Sequence, residues 1–362
     1  MITISVIGAG NGGQALAAYF AMKGFDVSLY NRSEWRIAPI ISTRKIKVED
    51  TDFKGTFEIA FATTDIKKAI QGRKLLMVVL PAFAHRPIAE RMAPYVEDGQ
   101  IIVLNPGRTG GALEFRSVFK RLGVKKDVII AEAQTFVFAS RMSNPGVVKI
   151  FKMKNAVPVA ALPAKRNPEL KEVLNEVLPE FEIAPNVLYT SFNNIGAVFH
   201  PASLILNAAR IESTAGKFEF YLEGITPSVA KVLEAVDRER CDVMGRFGIE
   251  PLTALRWLQY AYDVVGSNLY EAIHNNSGYQ GIMAPPSIQN RYILEDVPMS
   301  LVPIASFGRE LGIKTPTINS VIQLANIMMG RDFCKEGRTV ENLGLKGKKV
   351  KDIIRIVEEG DE

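Results

Sequence analysis

The run Ile7-Gly8-Ala9-Gly10-Asn11-Gly12-Gly13 limits what this chain can fold into more than any other stretch. An apolar run with strand character, Ile2 to Ile7, leads into it, and an apolar-rich helical pattern, Gln14 to Met22, follows. The glycines at 8, 10 and 13 fit G-x-G-x-x-G. In that strand–turn–helix setting the first glycine permits a tight turn and the second lets a pyrophosphate reach the backbone. The third brings the helix against its strand. The first amides and the positive end of the helix dipole then hold the phosphates. A glycine-rich turn without a ligand gives no reason for Gly10. Expected cofactor contacts are therefore Gly8, Gly10, Asn11, Gly12 and Gly13.

Beyond the turn, strands and helices alternate. A second strand spans Asp26 to Asn31, and a β-rich stretch, Ile46 to Ala62, reads as a short hairpin insert. Helix Asp65 to Gln71 precedes strand Leu75 to Leu80; a further helix leads to strand Gln100 to Leu104, and helix Gly111 to Leu122 to strand Asp127 to Ala131. Near-continuous apolar strands separated by helices imply a parallel sheet covered on both faces. Two more strand-like runs, Val147 to Met153 and Ala156 to Leu162, come before a helix around Pro168 to Leu178. From Ser191 the pattern is helical, with starts at Thr226-Pro227 and Thr315-Pro316, where a capping hydroxyl precedes a proline. The fold class is α/β: a Rossmann-type doubly wound parallel sheet over residues 1–185, then an all-helical domain over 186–362. Ligands of such sheets lie beyond the carboxyl ends of the strands, so the cleft is expected between the domains.

A chain of 362 residues is too long for one ordinary core, and its apolar fraction of 47% with 23% charged residues is that of a water-soluble protein. The N-terminus is already a strand without a basic leader, and the apolar run Leu75 to Ala84 is too short to span a bilayer. No membrane association is expected. Cys241 and Cys334 stand in no ligand-like spacing, which suits a reducing cytoplasm and argues against a disulfide framework or a bound metal. Net charge is only +5, and the lysines at 346, 348, 349 and 351 lack interleaved aromatics. They read as a solvated tail and not as a nucleic-acid surface.

The second strand ends Tyr30-Asn31-Arg32-Ser33. A carboxylate there would bind the ribose 2′-hydroxyl of NAD. Asn31 and a guanidinium at Arg32 suit a 2′-phosphate instead, so NADP is the expected cofactor, with NAD as the alternative.

Ser191 to Ala209 contains no Lys, Arg, Asp or Glu. Asn193, Gly196, His200, Ser203, Asn207 and Arg210 recur at spacings of three and four, which on one helix makes a polar stripe against Ile195, Val198, Phe199, Leu204, Ile205 and Leu206. Such a helix is expected to be buried with its polar seam facing a wet cavity. Pro201 cannot donate to the carbonyl of Ala197 and bends the helix beside His200. His200 thus stands as a proton-transfer candidate beside the alternative of a satisfied core histidine. His85 begins a helix after Pro81 and is expected near the cofactor mouth, while His274 reads as a helix end.

At this point a wider set of residues bears on identity. Gly8-Ala9-Gly10-Asn11-Gly12-Gly13, Asn105-Pro106-Gly107 and Gly110-Gly111-Ala112-Leu113-Glu114-Phe115-Arg116 are joined by His200-Pro201 and Leu206-Asn207-Ala208-Ala209-Arg210. Tyr221-Leu222-Glu223-Gly224-Ile225-Thr226-Pro227-Ser228, Arg291-Tyr292, Glu295-Asp296-Val297, Lys335-Glu336-Gly337-Arg338-Thr339 and Leu343-Gly344-Leu345 follow. Together they resemble the octopine/nopaline (opine) dehydrogenase family almost end to end. The resemblance implies a reductive condensation of an amino acid amine with a 2-oxo acid, NAD(P)H giving hydride to the imine carbon. It makes His200 the general acid/base and Asp296 the carboxylate that orients it. Two carboxylates must be held, so arginines are natural partners. Arg291 matches a substrate-binding position of the family; Arg210, Arg141 and Asn207 are further substrate-binding candidates, with surface ion pairs as the alternative for the first two. Ser140 stands where relatives often carry a cysteine, and Asn31-Arg32 where an NAD-using relative has an acidic residue. A homodimer is expected.

Two other readings compete. A reductase of a simple 2-oxo or 3-hydroxy acid, of the ketopantoate reductase type, needs a lysine on the first long helix of the second domain, and Ser191 to Ala209 has none. A redox-sensing regulator without turnover would have no acid/base pair.

Overall fold

The computed structural model describes residues 2–49 and 53–360. Among the described residues, twelve strands form two sheets. In chain order they are β1 (Thr3–Ile7), β2 (Asp26–Tyr30), β3 (Lys45–Glu49), β4 (Gly55–Glu58), β5 (Phe61–Thr63) and β6 (Leu75–Val78). Then come β7 (Ile101–Leu104), β8 (Ile129–Ala133), β9 (Phe138–Asn144), β10 (Val147–Met153), β11 (Val157–Leu162) and β12 (Phe181–Ile183).

The larger sheet runs β12-β11-β8-β7-β6-β1-β2-β5. From β5 to β8 every pairing is parallel, and the strand order reverses between β1 and β6. The strands β6 and β7 are buried at every residue, as a sheet covered on both faces requires. One feature departs from expectation: β11 pairs antiparallel to β8 and carries β12 with it. Strand direction leaves no mark on hydropathy, so only the paired register reveals it.

The expected hairpin exists as β3 and β4, and its tip at residues 50–52 lies outside the described residues. It is not a free insert. β3 pairs with β10, and β10 with β9, giving a second sheet, β4-β3-β10-β9. Phe61–Thr63 leaves the hairpin for the edge of the main sheet. Helix Asn11–Met22 is held to the second sheet by side chains: Gln14 is fully buried, its amide nitrogen donating to the Ala9 carbonyl at 2.9 Å. Its amide oxygen accepts from the Gly146 N–H at 2.8 Å.

Two compact units result, Met1–Ser191 with Arg355–Glu362, and Phe192–Ile354. The division falls six residues beyond the expected 185/186 boundary because helix Val187–Phe192 is anchored to the first unit: the Thr190 and Ser191 hydroxyls donate to the buried Glu132 carboxylate at 2.7 and 2.5 Å. The last residues return to the first unit, where a Cβ on Gly360 would lie 3.3 Å from Pro163. Among the described residues, no helix is long and apolar enough to cross a membrane.

The single helix expected over Ser191 to Ala209 is three: Val187–Phe192, Gly196–Leu206 and Ala208–Thr214. Asn193 and Asn194 make the first break. Short amides compete with the helix for backbone partners, and here both have been drawn off, Asn193 accepting from the Leu252 N–H at 3.3 Å and Asn194 donating to Ser300 Oγ at 2.8 Å. Pro201 lies inside the second helix without ending it. Both Thr-Pro starts hold. Thr226 caps its helix through the Val229 N–H, but Thr315 does not cap its own. There the Glu239 carboxylate takes the Thr317 and Ile318 N–H groups at 2.8 and 2.9 Å.

Candidate active site

In the first unit the glycine turn has the geometry its spacing implies. Gly8 stands at φ 112°, and a Cβ there would meet the Val79 carbonyl at 2.4 Å. A Cβ on Gly13 would fall 1.6 Å from the Gly8 carbonyl oxygen, so only glycine lets the helix sit on its strand. Gly12 faces the Phe136 ring at 2.7 Å by the same measure. Gly10 alone of the four meets nothing within 4 Å. The helix that starts here has no side-chain cap, so its first amides are left for a ligand. A dinucleotide pyrophosphate fits this cradle.

Two expected cofactor contacts have other work. Asn31 is buried, and its side chain accepts from the Ala9 N–H at 3.2 Å while donating to the Ser33 carbonyl at 2.9 Å. It braces the turn. Asn11 accepts from the Met142 N–H at 3.1 Å, fastening the helix start to β9. Arg32 is exposed, and Arg36, four residues on, stacks on the exposed Trp35 ring at 4.6 Å.

On the same sheet edge, the loop after β7 is fastened by a carboxylate absent from the sequence reading. Glu132, buried near the end of β8, accepts from the Ala112 N–H at 2.8 Å besides the Thr190 and Ser191 hydroxyls. Ser191 in turn accepts from the Gly110 N–H at 2.9 Å. The signal was one acidic residue in the apolar run Ile129–Ala133. Arg108, in this loop, adopts the left-handed conformation at φ 57°. Lys154, just after β10, donates from its ammonium to Thr135 Oγ1 at 2.7 Å. Desolvation by the surrounding protein, and then the Arg108 charge, push Lys154 down to about 8, although the side chain as a whole still reaches water.

In the second unit, His200 and Asp296 meet although 96 residues separate them. His200 Nδ1 lies 2.8 Å from Asp296 Oδ2, with the carboxylate fully buried and the imidazole 15% exposed. Asp296 stands at the entry of a π-helical turn, Val297–Leu301, an uncommon backbone that recurs at functional sites. The Asn194–Ser300 hydrogen bond ties that turn to the start of the His200 helix. The His200 ring lies flat on Tyr292, centroids 4.0 Å apart and planes at 15°. Tyr292 in turn packs on Phe220, ring centroids 5.3 Å apart, and the buried Tyr221 stacks on Tyr279 at 4.2 Å. Burial and the neighbouring tyrosines push the Tyr221 hydroxyl well above its usual range, so it stays protonated.

The remaining candidates divide. Arg291 is exposed beside Tyr292, 6.0 Å from its ring, and makes no ion pair among the described residues. Arg210 pairs with Glu223 at 2.5 Å and lies over the Phe218 ring. Asn207 donates to the Ser203 and Gly224 carbonyls at 2.9 and 2.8 Å, joining two helices. Arg141 is exposed on β9, in the first unit, next to the residue bonded to Asn11. Ser203 is fully buried, its hydroxyl without a partner among the described residues. The polar residues therefore do not form one seam; the break at 193–195 turns Asn193 towards Arg240. His85 is buried, edge-on to Phe115. His274 ends its helix with both ring nitrogens against carbonyls.

Comparison with known proteins gives the same division. Residues 183–329 match the family described as NAD/NADP octopine/nopaline dehydrogenase, alpha-helical domain, and residues 3–107 match the NAD-dependent glycerol-3-phosphate dehydrogenase N-terminus. The opine dehydrogenase of Arthrobacter sp. (strain 1C) is 40% identical over 95% of this chain and 96% of its own. Octopine dehydrogenase solved with NADH and agmatine superposes at TM-score 0.82, with 23% identity, over 98% of each chain. Yersinopine dehydrogenase with NADP+ bound superposes at 0.71, with 15% identity, over 99% of this chain and 98% of that one; these two show the fold.

Proposed function

The chain belongs to the octopine/nopaline dehydrogenase family, and from that premise we propose how its own residues carry out the family's reaction. It is an NAD(P)-dependent oxidoreductase acting on CH–NH groups, joining the amine of an amino acid to the ketone of a 2-oxo acid. The single observation that carries the mechanism is the 2.8 Å contact between His200 Nδ1 and Asp296 Oδ2.

Bound at the glycine turn, NAD(P)H supplies the hydride. The rest is proton traffic at His200 Nε2. Asp296, as a carboxylate, accepts from Nδ1–H, which fixes the tautomer and leaves Nε2 to exchange protons. His200 takes the proton that the amine loses on adding to the ketone. It passes that proton to the former carbonyl oxygen, which gives the carbinolamine; a second proton, drawn from solvent, lets the hydroxyl depart as water and leaves the protonated imine. Asp296 keeps the ring oriented while Nε2 carries the proton. Tyr292 holds the ring plane, and Arg291 receives a substrate carboxylate. Arg210 and Asn207 are not carried into the site, and Arg141 belongs with the cofactor turn.

The test is to follow NADPH and NADH oxidation with 2-oxo acids, each with and without amino acids. Oxidation is expected only when both substrates are present. Equal reduction of the 2-oxo acid without any amine refutes the reading and favours the simple-acid reductase.

We assign NADP as the preferred nucleotide because Arg32, with Arg36 near it, follows β2 where NAD enzymes place a carboxylate. Arg32→Ala is expected to raise the KM for NADPH by roughly 10- to 100-fold, the loss of charge-assisted bonds to a phosphate. The KM for NADH should stay unchanged; equal effects on both would remove the assignment. Cytoplasmic residence and a homodimer complete the reading. Two free thiols support the first, and exposed Leu206 and Leu324 beside Val321 on one apolar face support the second.

A further inference from the structure

Trp35 is 64% exposed on the helical turn Glu34–Arg36, just past β2. A single exposed apolar ring is ordinary on a protein surface; the setting of this one is not. The segment is fastened on both sides of the indole. Before it, Asn31 donates to the Ser33 carbonyl at 2.9 Å while accepting from the Ala9 N–H of the glycine turn. After it, the Gln14 amide donates to the Arg36 carbonyl at 3.5 Å, and Ile37 is fully buried. Gln14 belongs to the helix that starts at the same glycine turn. Two buried amides and a core isoleucine thus hold an exposed indole at a fixed place beside the pyrophosphate cradle. One face of the ring is covered, by the Arg36 guanidinium at 4.6 Å from its centroid. Neither Arg36 nor Arg32 pairs with a carboxylate among the described residues, although Glu34 stands between them in sequence. A cation on one face sets the plane of the indole and leaves the opposite face to another flat ring.

Position names that ring. In dinucleotide folds the residue at the end of the second strand meets the 2′-oxygen of the adenosine ribose. Base and 2′-oxygen sit on adjacent carbons of that ribose, so a side chain in the next turn is within reach of the purine. The residue that elsewhere binds the ribose by a carboxylate is Asn31 here, and its amide is taken by Ala9 and Ser33. The adenosine end therefore needs another hold. We propose that the Trp35 indole, braced by Arg36, is the stacking platform for the adenine of the dinucleotide and supplies that hold. This rests on the dinucleotide reading of the glycine turn. It applies to NAD and NADP alike, whereas Arg32 addresses the 2′-phosphate alone.

The chain has two tryptophans, so Trp257→Phe leaves Trp35 as its one indole reporter. In that protein 2′,5′-ADP and 5′-ADP, adenosine ends without nicotinamide, are expected to quench the fluorescence, and nicotinamide mononucleotide to leave it unchanged. By calorimetry, with Trp257 intact, Trp35→Ala should weaken both adenine fragments by the same factor, roughly tenfold, the loss of one base–aromatic stack. Trp35→Phe, which keeps a ring, should recover most of that affinity. Arg32→Ala should weaken 2′,5′-ADP only. The calorimetry decides the matter if Trp257→Phe does not fold. Adenine fragments that bind without quenching, unchanged binding in Trp35→Ala, or a Trp35→Phe no better than Trp35→Ala overturns the proposal. If Arg32→Ala leaves 2′,5′-ADP binding intact while Trp35→Ala weakens it, the NADP assignment falls and the platform stands. If neither the fragments nor NADPH nor NADH binds the wild type, the dinucleotide reading falls and the platform with it.

Discussion

Replacing His200 by alanine lowers kcat of the amine-dependent reaction by roughly 10²- to 10⁴-fold, the range of a positioned general acid/base, and leaves the KM for NADPH unchanged. The reason is local. His200 is the imidazole of the second unit that combines an ion-pair contact to a buried carboxylate with partial exposure; His274 has both nitrogens against carbonyls. The cofactor turn belongs to the other unit and keeps its geometry without the imidazole. Asp296→Asn separates orientation from charge. The amide can still meet Nδ1, but it can donate as well as accept, so the ring is no longer held to one tautomer. A loss approaching that of His200→Ala is expected, with the double variant little worse than either because the pair acts as one unit. Single-turnover oxidation of NADPH with pyruvate and an amino acid measures this. Full activity in His200→Ala would remove the mechanism and leave a nucleotide-binding protein whose chemistry lies elsewhere.

What was legible in the chain follows from how far each constraint reaches. Gly8, Gly10 and Gly13 could be assigned in advance because their roles are steric and local: a positive φ, an open approach and a 1.6 Å clash. The strands β6 and β7 were legible for the same reason, their burial being written in unbroken apolar runs. The His200–Asp296 contact was not, since nothing in the spacing of residues 96 apart says they meet; the family resemblance suggested it. The polar stripe misled because it assumed an unbroken helix. Asn193 and Asn194 broke it by bonding to Leu252 and Ser300, partners 59 and 106 residues away. For Arg210 the sequence left a surface ion pair as the alternative, and its partner, Glu223, could be named only from the fold.

Arg240→Ala should cost about 3–5 kcal/mol of stability, the usual range for stripping one partner from a buried ion pair. Arg240 has no exposed surface. Its guanidinium donates to Asp237 Oδ1 at 2.9 and 2.6 Å, to the Phe192 carbonyl at 2.7 Å and to the Leu252 carbonyl at 2.6 Å. Without it, Asp237 is left as a buried carboxylate still bound to the Ala254 N–H, and two carbonyls lose their donor. Arg240→Met with Asp237→Leu removes both charges and should recover part of the loss. Recovery stays incomplete, because the Phe192 and Leu252 carbonyls remain unpaired in the double variant too. Urea unfolding followed by tryptophan fluorescence reports the second unit through Trp257. The same variants bear on catalysis. Phe192 and Asn193, which Arg240 binds, set where helix Gly196–Leu206 begins, and therefore where His200 stands relative to Asp296. A near-neutral Arg240→Ala would show that this network does not hold the catalytic helix in place.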